Sequence, residues 1–149
     1  MKNYLKQLLR NLYNLILRRK NIIIGQNVLY NQKTVFEDHI RINTNTHIYD
    51  THIGRGTYIG ENGVINSAYI GRFCSIGSDV RIVTGNHPVH TWVSMHPAFF
   101  SVKKKAGFTF VKDEKWKGKK YIDDTGFECM IGNDVWICDR VTILPGLKI

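Results

Sequence analysis

Large apolar residues recur at a fixed short interval along most of the chain, and polar residues fill the positions between them. Isoleucine occupies positions 42, 48, 53, 59, 65, 70, 76 and 82, and again 131, 137, 143 and 149. Most steps are six residues long, and Ile24, Tyr30 and Phe36 continue the register towards the N-terminus. Because six is no multiple of the helical period, an amphipathic helix is excluded here. A repeat of this length predicts a solenoid, and hexapeptide repeats specify a parallel β-helix.

The repeat also predicts how the side chains stack. Each unit is a short strand with a turn, and three units close one triangular coil, so that residues 17 positions apart lie over one another. The glycine after the isoleucine, as at Gly54, suits a corner that needs a positive φ or a close backbone approach. A small fifth residue, such as Cys74, fits inside the corner. The expected columns are Ile42, Ile59 and Ile76; Ile48, Ile65 and Ile82; and Phe36, Ile53 and Ile70.

The chain divides into a leading segment and one solenoid domain. Residues 1–20 predict an amphipathic helix, because Leu5, Leu8, Leu9, Leu12 and Ile16 form a stripe at helical spacing. This helix either caps the open end of the solenoid, the interpretation favoured here, or lies on a membrane surface. Residues 21–149 predict about five coils of β-helix, interrupted by a loop over 84–130. The longest apolar run of the leading segment, at 15–17, is too short to span a bilayer.

The composition narrows the range of expected binding partners and of cellular compartments. The 149 residues carry a net charge of +9, and the Lys and Arg residues cluster, seven in 1–36 and eight in 103–120. These clusters are either solvated faces or sites that attract an anionic ligand such as a phosphorylated cofactor or a lipid surface. They match no nucleic-acid-binding motif, so nucleic acid is not an expected partner. Three cysteines without metal-site spacing, and no cleavable leader, predict a cytoplasmic protein, with the inner membrane face as an alternative location.

The long interruption is where the chemistry is expected. Long loops inserted into a solenoid are commonly functional. This loop is rich in lysine and aromatic residues, a composition that suits either a wall around a polar acceptor or a contact with a neighbouring subunit.

Two motifs carry a specific resemblance. The segment 83–90 reads Val-Thr-Gly-Asn-His-Pro-Val-His, and 131–137 reads Ile-Gly-Asn-Asp-Val-Trp-Ile. Together they resemble the hexapeptide-repeat acetyltransferases, which include galactoside and maltose O-acetyltransferases and the xenobiotic acetyltransferases that modify chloramphenicol and streptogramins. The segment 91–101 is similar to a subgroup often found with sugar and surface-polysaccharide biosynthesis. The resemblance covers residues from about 22 to 149.

The resemblance implies a left-handed β-helix and a homotrimer with active sites in the clefts between subunits. It implies acetyl-CoA as co-substrate, no metal, and His87 as the general base that takes the proton from an acceptor hydroxyl. The place of Asn86, His90, Trp92 and His96 in the same loop makes them candidates for acceptor contact, with a role in shaping the turn as the alternative for Asn86. For the coenzyme, the resemblance suggests Trp136 and Cys138, with an outward aromatic at a subunit contact as the alternative for Trp136. Cys138 departs from the family, which usually has glycine at that position.

The function that we predict from the resemblance is acetyl transfer to a hydroxyl of a sugar or surface-polysaccharide precursor. A xenobiotic acetyltransferase of the chloramphenicol or streptogramin type is the alternative within the same chemistry. Relatives continue past the position of Ile149 with coils that supply most coenzyme contacts, so the C-terminal coils are expected to be missing here. That expectation motivates a third interpretation, a truncated trimeric scaffold without activity.

A different enzyme class on the same solenoid is the γ-type carbonic anhydrase, which binds a metal through histidines shared between subunits. His47 and His52 have suggestive spacing, but a third histidine in coil register is lacking. A metal site is therefore not expected.

Overall fold

The computed structural model describes residues 15, 17, 19–90 and 92–149. The predicted helix over 1–20 therefore lies almost entirely outside the described residues; Leu15, Leu17 and Arg19 are helical. Two short 3₁₀ turns, Pro97–Phe99 and Asp123–Thr125, lie in the inserted loop. The strands are β1 Ile23–Ile24, β2 Leu29–Tyr30, β3 Val35–Phe36, β4 Arg41–Ile42, β5 His47–Tyr49, β6 His52–Ile53, β7 Tyr58–Ile59, β8 Val64–Asn66, β9 Ala68–Ile70, β10 Ser75–Ile76, β11 Arg81–Ile82, β12 Cys129–Ile131, β13 Trp136–Ile137, β14 Thr142–Ile143 and β15 Leu147–Lys148.

These strands form three parallel sheets of five strands each. The first sheet has the order β1-β4-β7-β10-β13, the second β2-β5-β8-β11-β14, and the third β3-β6-β9-β12-β15. Since every third strand belongs to the same sheet, one strand of each sheet contributes to each coil, which gives five coils. The predicted fold class, an all-β parallel β-helix, is confirmed.

The interior consists of the predicted apolar columns. Ile59 pairs with Ile42 on one side and with Ile76 on the other, and the column continues to Ile137. The second column runs through Tyr30, Ile48, Ile65, Ile82 and Ile143, and the third through Phe36, Ile53, Ile70 and Ile131. Apart from the half-buried Tyr30, the residues of these two columns are buried. Each coil thus buries its apolar side chains mainly against its neighbours, as expected for a solenoid.

The glycines that directly follow the repeat isoleucine, such as Gly54, are required by close approach and not by a positive φ. A Cβ at Gly54 would lie 2.5 Å from the carbonyl carbon and oxygen of Gly71 in the next coil. The left-handed corner positions are instead held largely by asparagine and aspartate, which tolerate this conformation best among non-glycine residues. At one corner the Asn27 side chain donates to Asn45 Oδ1 at 3.1 Å, and the Asn45 side chain donates to Asn62 Oδ1 at 3.4 Å.

The insertion leaves the solenoid after β11 and returns at β12, so it occupies one corner of the fourth coil, between the second and third sheets. β12 begins at Cys129, two residues before the isoleucine that marks its repeat, because the small Cys129 pairs with Ala68 inside the coil. Cys74, the predicted small core residue, is buried, and its thiol donates to the carbonyl oxygen of Gly132 at 3.1 Å. In the described part of the chain, no helix has the length and apolar character needed to cross a membrane.

Candidate active site

The first residues of the insertion are anchored to residues near its end. Gly85 has a φ of +86° and donates its backbone N–H to the Glu128 carboxylate at 3.0 Å. Asn86 donates its backbone N–H to the carbonyl oxygen of Gly118 at 2.7 Å, and the Trp116 indole donates to the carbonyl oxygen of Asn86 at 3.3 Å. Three contacts therefore hold the backbone that leads to His87.

The His87 imidazole is oriented by a backbone carbonyl. Its Nδ1 lies 2.8 Å from the carbonyl oxygen of Met95. Because a carbonyl oxygen can only accept, Nδ1 must carry the hydrogen in this contact, and Nε2 then keeps the free lone pair. The ring also meets the buried Phe100 edge-on, with 6.0 Å between the ring centres. In the neutral ring, this contact leaves the lone pair on Nε2, where it could accept a proton.

The loop around His87 has a packed structure of its own. His96 caps the 3₁₀ turn Pro97–Phe99 by accepting from the Ala98 N–H at 3.3 Å. The Glu114 carboxylate accepts from the Val102 N–H at 2.9 Å and from the Ser101 hydroxyl at 3.1 Å. These hydrogen bonds, the one from Val102 foremost, lower the pKa of Glu114 from its ordinary value. These hydrogen bonds within the loop fix the positions of the residues around His87.

Two cavities meet at His87 and differ in character. The smaller, about 220 Å³, is lined by apolar residues such as Phe100 and also by polar and charged groups, among them Ser101, Lys103, Lys105 and Glu114. The larger, about 700 Å³, has walls that are mainly apolar and reaches the fifth coil. The residues that line only the larger cavity are Val89, His90, Met95, Lys120, Leu144 and Pro145. The residues that line both cavities are Gly85, Asn86, His87 and Trp116. A group at His87 is therefore accessible from two chemically different sides.

The four predicted acceptor residues fall into two groups. Asn86 lines both cavities, and its side-chain oxygen accepts from the His87 N–H at 2.8 Å; His90 lines the larger cavity. The Trp92 ring contacts Phe100, with 6.4 Å between centres, and lines neither cavity. The His96 ring stacks on Phe108 at 5.8 Å and also lines neither. Trp92 and His96 thus support the loop, and only Asn86 and His90 adjoin the cavities.

The two predicted coenzyme residues lie apart from His87 in the single chain. Trp136 is on β13 in the first sheet, beside Ser75, and its side chain is 76% exposed. Cys138 is exposed directly after the same strand. Neither residue lines the two cavities at His87.

Sequence reasoning did not identify Met95, Trp116 and Glu128 as parts of this site. Met95 contributes through its carbonyl oxygen, which every residue has, so no side-chain pattern could mark it. Trp116 was recognised only as one of many loop aromatics. Glu128 had a usable signal, since it is an acidic residue immediately before the strand that restores the repeat.

The two histidines considered for a metal site have other surroundings. The His52 ring contacts Tyr69, with 4.7 Å between centres, and its Nε2 lies 3.5 Å from Glu37. The His47 ring packs near Tyr49. Within the described residues, no group of three or more His, Cys, Asp or Glu side chains could hold a metal ion. Burial lowers the pKa of His52 from its ordinary value, more than the Glu37 carboxylate raises it.

This lowered pKa of His52 predicts a loss of stability in mild acid. In the unfolded chain an imidazole gains a proton as the pH falls through about 6.5, whereas His52 in the folded chain resists protonation. The unfolded state then binds more protons, so the free energy of unfolding should decrease as the pH falls below this value. Glu37, whose pKa is lowered chiefly by its hydrogen bond from Arg72, acts in a more acidic range. Urea titrations of wild type and His52→Gln should show a shallower decrease in the variant, and equal slopes would contradict the assignment.

Comparison with known proteins identifies relatives of one activity. A chloramphenicol acetyltransferase of Morganella morganii is 38% identical over 87 residues, which are 57% of this chain and 37% of that protein. A chloramphenicol acetyltransferase of Klebsiella aerogenes is 32% identical over 87 residues, with the same coverage. One from Agrobacterium fabrum is 32% identical over 82 residues, 54% of this chain and 35% of that protein. The chain thus spans little more than a third of the curated relatives it matches.

No protein-family model matches the chain. The resemblance to the hexapeptide-repeat acetyltransferases is nevertheless confirmed, because these relatives and the parallel β-helix agree with it.

Proposed function

We propose that this chain transfers an acetyl group from acetyl-CoA to a hydroxyl group of a small acceptor, with His87 as the general base. The observation that carries the proposal is the 2.8 Å contact between His87 Nδ1 and the carbonyl oxygen of Met95, at the junction of two cavities. With Nδ1 protonated, Nε2 can take the proton of the acceptor hydroxyl. The hydroxyl oxygen forms the new ester bond to the acetyl carbon, the bond from that carbon to sulfur breaks, and the proton returns to the departing thiolate.

The two cavities suit the two substrates. The larger cavity has apolar walls of Val89, Leu144 and Pro145 and one cation, Lys120, which supports binding of the pantetheine arm there. Its volume of about 700 Å³ is within the range of small-molecule sites. The smaller cavity then receives the acceptor, and its polar groups would hydrogen-bond to an acceptor with several hydroxyls.

The assembly in this proposal is a homotrimer whose active sites lie between protomers. Trp136 supports it, since a tryptophan that is 76% exposed in the single chain has the large apolar surface typical of an interface residue. In the trimer, Trp136 and Cys138 of one protomer would border the coenzyme site of its neighbour.

The relatives favour a xenobiotic acceptor over the sugar acceptor that we predicted from the sequence. All of the curated matches described above are named for chloramphenicol, and none for a sugar. Chloramphenicol is therefore the acceptor that we propose first, and sugar precursors are the second candidate.

An acceptor panel tests the proposed function. We expect thiol release from acetyl-CoA that depends on chloramphenicol, with an acetyl ester of the drug identified by mass spectrometry. Release with sugars and none with chloramphenicol would favour the second candidate. If no acceptor supports turnover and CoA leaves the melting temperature unchanged, the proposal fails and a non-catalytic scaffold becomes the better interpretation.

A further inference from the structure

Glu128 belongs to the solenoid through its backbone, although it is the last residue of the insertion. Its N–H donates to the carbonyl oxygen of Ser67 in the third coil at 2.7 Å, and its carbonyl oxygen accepts from the Gly146 N–H in the fifth coil at 2.6 Å. It holds the corner position that Ser67 and Gly146 hold in those coils, because Cys129 pairs with Ala68 and Leu147. The neighbouring coils therefore fix the backbone of Glu128 from both sides.

The side chain of Glu128 reaches back to the beginning of the insertion. Its Oε2 accepts from the backbone N–H of Gly85, 43 positions earlier, at 3.0 Å. The residue is 1% exposed, and its Oε1 has no hydrogen-bond partner among the described residues. Burying a carboxylate with one oxygen unsatisfied is costly, and a stability role alone would be met as well by an apolar residue of similar volume. The contact therefore points to a role in fixing Gly85.

Gly85 is two residues before His87, and the backbone between them has little freedom. Gly85 is in the left-handed region, and Asn86 is held by Gly118 and by its own bond to the His87 N–H. A shift at Gly85 would therefore move the imidazole relative to Met95. In a catalytic site, a misplacement of about 1 Å can cost about 10²-fold in rate.

We propose that Glu128 is a positioning residue for His87, and that it acts through the backbone N–H of Gly85. The proposal rests on the function proposed above, since it assigns His87 its catalytic role. Glu128 would transmit the rigid geometry of the solenoid to the loop and would not touch either substrate.

Two substitutions separate positioning from folding. Glu128→Gln keeps an oxygen that can accept from Gly85, whereas Glu128→Leu keeps much of the volume and removes the acceptor. We expect Glu128→Leu to lower kcat by about 10–100-fold with little change in KM, and Glu128→Gln to retain most of the wild-type kcat. Ser67→Ala is the matched control, because it removes a side-chain contact to the Glu128 N–H at the same corner without affecting Gly85. Circular dichroism and melting curves would verify that each variant folds.

A readout independent of activity follows the imidazole itself. In nitrogen-15 NMR spectra, with the His87 signals assigned by their loss in His87→Gln, the Nδ1-protonated tautomer should dominate in wild type, Glu128→Gln and Ser67→Ala. In Glu128→Leu both tautomers should be populated. If Glu128→Leu folds but changes neither the tautomer nor kcat, the proposal is wrong. If the tautomer changes as expected while no variant transfers an acetyl group, Glu128 positions His87 and only the proposed function fails.

Discussion

His87→Ala should lower kcat for acetyl transfer by about 10²–10⁴-fold, the usual contribution of a general base, while KM for both substrates changes little. The imidazole is the group that would accept the proton of the acceptor hydroxyl, and alanine leaves that proton without a positioned acceptor. Steady-state measurements with acetyl-CoA and the acceptor identified by the panel would give both constants. Because His87 is exposed, the melting temperature should be nearly that of the wild type.

His90→Ala is the matched control for this prediction. His90 lines the larger cavity beside His87, but among the described residues no hydrogen bond orients it like the one between His87 and Met95. Because His90 lines the proposed coenzyme cavity, its removal can change KM for acetyl-CoA, but a kcat near that of the wild type would separate loss of the base from a general disturbance of the cavity. Wild-type turnover by His87→Ala would exclude the general-base assignment.

Ile65→Ala should decrease the free energy of unfolding by about 2–5 kcal/mol, the range for truncating a large aliphatic side chain in a core. Ile65 is 0% exposed on β8, the central strand of the second sheet, between Ile48 and Ile82. Removing it opens a cavity against two neighbouring coils, and the short strands around it cannot move inward without breaking their register. Urea denaturation followed by circular dichroism would measure the change.

Val64→Ala is the comparison on the same strand. Val64 precedes Ile65, points to the opposite face of the sheet and is half-buried, so its truncation should cost less than about 1 kcal/mol. Equal losses for the two variants would mean that the column of isoleucines is not the main source of stability at this level of the solenoid.

The fold could be predicted from the sequence because its information is local and repeated. Ile59 has the same inward position as Ile42 and Ile76, so the same relation between sequence and structure is repeated in every coil. Of the two reasons predicted for the glycine after the isoleucine, close backbone approach is the one that applies at Gly54. The left-handed positions are occupied by other residues, such as Asn45 and Asn62.

The candidate site could be predicted only where a motif marks it. His87 and Asn86 were found by their place at the interruption, and both border the cavities. The partner of His87 could not be found, because it is the backbone carbonyl oxygen of Met95, and no side-chain pattern marks a backbone group. Trp136 shows the opposite limit: its motif is clear, but in the single chain it lies on the first sheet and lines neither cavity at His87.

The insertion begins and ends at the same corner of the fourth coil. The insertion and the solenoid can therefore tolerate sequence changes independently of each other. Gly85 and Glu128 are joined by a hydrogen bond, so the chain between them is a loop whose two ends are in contact. The length of this loop does not alter the register of the isoleucine columns. Doubling the length of such a loop raises the entropic free-energy cost of closing it by only about 0.6 kcal/mol. Segments of the insertion that neither line the cavities at His87 nor anchor it can therefore be exchanged, shortened or extended, while the isoleucine columns keep their spacing and the coils remain paired.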